Sequence, residues 1–286
     1  MKVLDVLQAV DKAFPFEHAF DGDQVGLLIG DANMPVTGVL VALDPGLDTI
    51  ARAQELGANV VVSHHPIRFN PFTHFNITHV ANTYPERVLA AALSANIAVI
   101  AAHTNVDVAE SARRYWGDKL GFKHLGPLPA ITTCLGFTRE KGEQSASDPY
   151  GEMWSLTSPC SLNQLAAEVS EVAGSPVKVY GDSTTMINAI VTATGSGGSR
   201  IAEAQVARAD CIISGEFGYH AALAAVESGL TLIELGHDVS ELPLVNLIAD
   251  AVRDCSTLPD CKVYVEDRPK LWHSVSAGTN STSEDI

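Results

Sequence analysis

A chain of 286 residues with 46% apolar and 18% charged residues is long enough to bury a sizeable core and has an ordinary globular composition, not a disordered one. Its 18 basic residues against 34 acidic ones give a net charge of −16, which excludes duplex nucleic acid as an expected partner, because phosphate binding needs a basic footprint. The same charge is compatible with cation binding.

In chain order, residues 3–14 carry helical apolar spacing and 37–43 read as a buried strand. A helix at 47–56 stops at Gly57, a strand follows at 59–63, then a helix at 85–93 and a strand at 97–102. After Gly126-Pro127-Leu128-Pro129 a second series begins: strands at 134–138 and 153–156 around a polar loop, then a helix at 162–172. Strands at 187–194, 210–214 and 231–235 alternate with helices near Ser199 and Tyr219, and a helix at 242–252 precedes a last strand at 262–265. This alternation predicts an α/β protein of two α/β domains, 1–126 and 127–270, with mixed, mostly parallel sheets and a disordered tail at 271–286. The start Met1-Lys2-Val3-Leu4-Asp5 has no signal-peptide pattern, and the longest apolar run is interrupted by Ser94 and Asn96. Five scattered cysteines without a CxxC read as reduced thiols, with Cys211 in the core; a soluble, cytoplasmic protein with no membrane partner and no thiolate zinc site is expected.

In open α/β sheets, ligands bind beyond the carboxyl ends of the strands. Three predicted strands end in histidine: Ser63-His64-His65-Pro66, Ala102-His103-Thr104-Asn105-Val106-Asp107, and Gly236-His237-Asp238-Val239-Ser240-Glu241. Each has an ordinary structural reading as well. His64 and His65 read equally as the start of a polar loop, and Asp107 as a helix N-cap. Asp238 and Glu241 fit a capping box, which leaves His237 unexplained. Taken together, five side chains (His64, His65, Asp107, His237 and Glu241) suit two divalent ions sharing a carboxylate in a cleft between the domains, with His103 as a further ligand or as a group orienting one. Imidazole and carboxylate without sulfur points to zinc, iron, manganese, cobalt or nickel. For proton transfer the candidates are His103, Glu216 and His220; the last two read otherwise as a helix cap and a helix residue. Gly195-Ser196-Gly197-Gly198-Ser199 is either a phosphate-receiving loop or a plain strand–helix turn.

At these motifs, together with Asp23-Gln24-Val25-Gly26-Leu27 and Gly215-Glu216-Phe217-Gly218-Tyr219-His220, the sequence resembles the dinuclear metal-binding family of GTP cyclohydrolase 1 type 2 homologs, also called NGG-interacting-factor-three-like proteins. The resemblance runs from Val3 to about Asp267. It implies that His65 and Asp107 hold one ion and His64 and His237 the other, with Glu241 bridging. It further implies a toroidal homohexamer, a trimer of dimers, and a purine nucleotide substrate, with hydrolytic opening of the guanine ring of GTP and release of formate. Two departures stand out. The family's Trp-Asp-Asn-Val-Gly is Gly22-Asp23-Gln24-Val25-Gly26 here, and residues 126–188 are too few for the domain that longer relatives insert. Phosphoester hydrolysis at two metals and a non-enzymatic interaction scaffold are the competing functions.

Overall fold

The computed structural model describes residues 1–68, 83–129, 150–254, 261–267 and 271. The first series comprises α1 (Val3–Ala13), β1 (Gly26–Ile29), β2 (Val39–Ala42), α2 (Leu47–Leu56), β3 (Val60–Ser63), α3 (Tyr84–Ser94), β4 (Ala98–Ala101), α4 (Thr104–Asp107) and α5 (Glu110–Lys119). The second comprises β5 (Lys123–Pro127), β6 (Glu152–Ser161), α6 (Leu162–Ala173), β7 (Lys178–Tyr180), β8 (Met186–Thr192), α7 (Ile201–Val206), β9 (Cys211–Ser214), α8 (Tyr219–Glu227), β10 (Thr231–Glu234), α9 (His237–Arg253) and β11 (Val263–Val265). The predicted strand at 134–138 and the tail beyond Leu271 lie outside the described residues.

Two mixed sheets result. The first has the order β1-β4-β3-β2-β11, parallel throughout except at β1. Its inner strands β2, β3 and β4 are buried along their whole length, as continuous Val/Ile/Ala runs covered on both faces must be. α1 and α9 close one face around Val41, Val62 and Ile100; α2 and α3 close the other around Leu40, Val61 and Val99. The second sheet has the order β5-β6-β8-β9-β10-β7, parallel only at β8-β9-β10, so the mostly parallel expectation holds for the first sheet and not for this one. Cys211 is in its core, as predicted.

The two sheets do not divide the chain linearly at residue 126. β5 begins at Lys123 yet pairs in the second sheet, and β11 returns to the first. α9 joins the two cores: Val239 packs with the second sheet's cluster, while Leu244, Val245 and Ile248 pack with the first's. α9 also starts five residues before its predicted Leu242. Pro243 sits inside the helix, where it reads locally as a first-turn residue, but Gly236 already turns the chain. Its φ of 100° lies in a region that glycine enters at little cost.

Candidate metal centre

The polar residues gather where the parallel strands end. Beyond β3 the ladder persists: His64 N–H donates to the Ala42 carbonyl at 3.1 Å and His65 N–H to the Leu43 carbonyl at 2.9 Å. Pro66 has no N–H and ends the pairing. Ser63 Oγ donates to the His65 carbonyl at 2.7 Å, tightening a turn in which the two rings come within 5.1 Å of each other. Beyond β4 the chain passes through His103 into the short α4, which carries Asp107. Beyond β10, Gly236 leads directly into α9, where His237 and Glu241 lie one turn apart on one face.

Glu241, 2% exposed, faces two donor groups at once. Its Oε1 and Asp107 Oδ1 each stand 3.8 Å from His64 Nε2. Its Oε2 stands 2.9 Å from His65 Nε2 and 3.1 Å from His237 Nε2. His64, Asp107 and Glu241 form one cluster with donor atoms within 4.8 Å, His65, His237 and Glu241 a second, and His64, His65 and His103 a third. All five residues singled out in the sequence therefore meet at one place. The resemblance implies His65 with Asp107 and His64 with His237, whereas the structure groups His64 with Asp107 and His65 with His237. The reason is local, since His64 Nδ1 donates to the Ala102 carbonyl at 3.0 Å and the opposite nitrogen then points toward Asp107.

Every imidazole of the cluster is held through Nδ1. Asp44 takes His65 at 2.9 Å, both oxygens of Asp23 take His103 at 3.0 Å, and Glu216 takes His237 at 3.1 Å. Such partners fix the tautomer and the ring orientation of metal-binding histidines. Asp44→Asn should consequently lower metal affinity about 10- to 100-fold with the fold intact, as measured by competition against a chromophoric chelator; wild-type affinity would remove Asp44 from this role.

The donor set fits a divalent cation. His64 is wholly buried and its Nε2 has no hydrogen-bond partner, nor does Glu241 Oε2 meet hydrogen-bond geometry despite its two close nitrogens. Buried polar atoms without partners are rare, and a cation in each of the two clusters would satisfy the lone pair there. Imidazole and carboxylate without thiolate suit zinc, iron, manganese, cobalt or nickel. Protons compete for the same atoms. Burial opposes charge on His65, yet Asp44 and Glu241 push it up to about 10. Glu241 raises His237 to about 9 against burial. Burial acts to raise Glu241, but His237, His64 and His65 hold it well below the carboxylate range. A cation must displace protons from these histidines, so its affinity falls as pH drops.

The capping readings do not hold. Asp107 lies within α4 and accepts from Thr194 Oγ1 at 2.9 Å, and the N-cap of α9 is Gly236, not Asp238. Glu216 caps nothing, since α8 starts from Gly218 without a side-chain cap; it orients His237. His220 is a correction: it is exposed on α8 against the Tyr219 ring and lines neither cleft beside the cluster. His103 does line one. Asp23, held to about 2 by His103 and Thr104 although burial acts to raise it, keeps that ring in place. The glycine run has a packing reason: a Cβ on Gly195, at φ +55°, would fall 2.3 Å from Glu241 Oε1, and one on Gly197 would fall 2.6 Å from the Ser214 side chain.

Two clefts meet at His65 and His237. One, of about 510 Å³, is bordered by Asp44, Lys178, Glu216 and Glu234. The other, of about 280 Å³, is lined by His103, Asp107 and Glu241 together with Phe20, Tyr150 and Arg200. Asp44 could have been found by the strand-end rule, because it lies two residues beyond the end of β2. Phe20, Tyr150, Thr194 and Arg200 gave no signal in the sequence.

Opposed strand ends from two sheets, converging on a histidine–carboxylate cluster, define a two-sheet α/β protein with a candidate metal centre. The chain belongs to the Duf34/NIF3 (NGG1p interacting factor 3) family, whose model matches residues 1–268. It is 27% identical to a GTP cyclohydrolase 1 type 2 homolog of Streptomyces coelicolor over 98% of this chain and 97% of the relative. A protein of the same description from Lactococcus lactis is 30% identical over 88% and 92% of the two chains. A solved Staphylococcus aureus structure is 25% identical and superposes with a TM-score of 0.80 over 96% of this chain and 99% of that one. Among the described residues no helix is long and apolar enough to cross a membrane.

Proposed function

We propose that this chain is a metal-dependent hydrolase that holds two divalent ions through His64, His65, Asp107, His237 and Glu241 and acts on a small molecule, in its most concrete form by opening the guanine ring of GTP. The observation that carries the reading is the buried, partnerless His64 Nε2 facing Asp107 and Glu241, two carboxylates that themselves line an open cleft. Divalent ions held there by these residues would lower the pKa of a bound water toward neutrality. The chain's own groups do the rest. Glu241 presents one oxygen to each donor group, which suits a shared ligand. Asp23 fixes His103 through Nδ1 and Thr104 locks Asp23 in turn, leaving the ring's other edge toward the cleft for proton transfer. The names of the relatives support the choice of GTP, and a purine would find the Phe20 and Tyr150 rings along the cleft wall.

The test pairs elemental analysis of protein purified without chelator with product analysis on GTP. About two equivalents of metal and formate as product support the proposal, and loss of both in His65→Ala ties them to the cluster. Inorganic phosphate in place of formate would turn the reading to phosphoester hydrolysis. Metal without turnover, with partner binding unchanged in His65→Ala, would leave a scaffold.

A further inference from the structure

We propose that Arg200, with Ser196 and Ser199, forms an oxyanion subsite in the smaller cleft, so that the substrate carries a phosphate or carboxylate group facing the histidine–carboxylate cluster. The inference deepens the proposed function by naming the substrate's chemical class and rests on that reading.

Arg200 is placed for this and poorly explained otherwise. Its side chain is 11% exposed and lines the same cleft as His103, Asp107 and Glu241. The guanidinium lies over the Tyr150 ring at 5.4 Å, and Tyr150 is itself fixed by donating from its hydroxyl to the Thr194 carbonyl at 2.8 Å. Arg200 Nε donates to Ser199 Oγ at 3.2 Å. The approach to Glu203 Oε1 is 3.6 Å from Nη1, too long for a hydrogen bond. Among the described residues, neither terminal nitrogen of Arg200 makes a hydrogen bond, although a guanidinium has five N–H donors. The planar fork is thus stacked, oriented and left with donors unused beside Ser196 and Ser199, an arrangement that matches the oxygens of a phosphate or carboxylate. The other cations beside the cluster are engaged: Lys178 pairs with Glu234, and Arg68 with Glu86. The same cleft is lined by His65, His103, Asp107, His237 and Glu241 of the candidate metal centre, so an anionic group held by Arg200 would also face that cluster.

Structurally, the alternative is that Arg200 only neutralises the buried Glu203. Equilibrium binding of inorganic phosphate to the metal-loaded protein separates the two. Arg200→Met should weaken phosphate at least about tenfold at unchanged metal content, and Arg200→Lys should restore only part of it, because an ammonium lacks the fork. Glu203→Gln, which removes the counter-charge and leaves Arg200, should bind phosphate within about twofold of wild type. Phosphate affinity unchanged in Arg200→Met overturns the subsite. Should Arg200→Met not fold, wild-type affinity in Arg200→Lys overturns it equally. A failure of the proposed function would show separately, as wild-type protein without metal, and would leave the comparison between wild type and the Arg200 variants readable.

Discussion

Glu241→Gln purified beside the wild type should retain less than about a tenth of its metal. The substitution is nearly isosteric, so packing is preserved and the charge is what changes. Glu241 is the residue common to the two donor groups: one oxygen stands 3.8 Å from His64, the other 2.9 and 3.1 Å from His65 and His237. Removing a residue that only orients a ligand already lowers affinity about 10- to 100-fold, so removing a shared ligand should exceed the upper end of that range. The change also leaves the imidazoles of His64, His65 and His237 without the carboxylate they surround. Elemental analysis and chelator competition read the outcome. Wild-type stoichiometry in Glu241→Gln would remove Glu241 from the centre and dissolve the link between the two donor groups.

Much of this centre was legible because strand ends are visible in a sequence. A run such as Val60-Val61-Val62-Ser63 announces a buried strand, and a histidine just beyond it falls on the rim where open α/β sheets bind ligands. What the sequence does not encode locally is which ring turns which way. The partner of His64 is settled by its bond to the Ala102 carbonyl, 38 residues distant, and no spacing rule reports that. The same holds for Arg200, whose role depends on Tyr150 lying under it. The membership of the two sheets is hidden from the linear sequence for a related reason. β11 pairs with β2 across more than half the chain, and α9 has one apolar face divided between two cores. Short edge strands such as β1 and β7 went unread because they are only partly buried and lack the continuous apolar run that marks the equally short β2, β3 and β4.

Gly117→Ala should destabilise the protein by about 1–3 kcal/mol, although the rule for helices has the opposite sign. Gly117 lies inside α5, where replacing glycine by alanine ordinarily stabilises by about 1 kcal/mol. Here an added Cβ would fall 2.0, 2.2 and 2.4 Å from Cε2, Cζ2 and Cδ2 of the Trp154 indole. The indole cannot step aside freely: Trp154 is wholly buried, its Nε1 donates to Thr192 Oγ1 at 2.8 Å, and the His124 ring packs 4.9 Å away. Either α5 lifts off β6 or the tryptophan leaves its place, and both disturb the second core. Overpacking therefore outweighs the gain in helix propensity. Lifting α5 also reaches the candidate metal centre, because Trp116 on the same helix donates from Nε1 to the Ser240 carbonyl at 2.9 Å, next to Glu241. A lowered denaturation midpoint with unchanged slope, accompanied by weaker metal retention, is the expected result. A raised midpoint would mean that α5 and Trp154 do not touch as described, and would take with it the account of how α9 is held against the cleft.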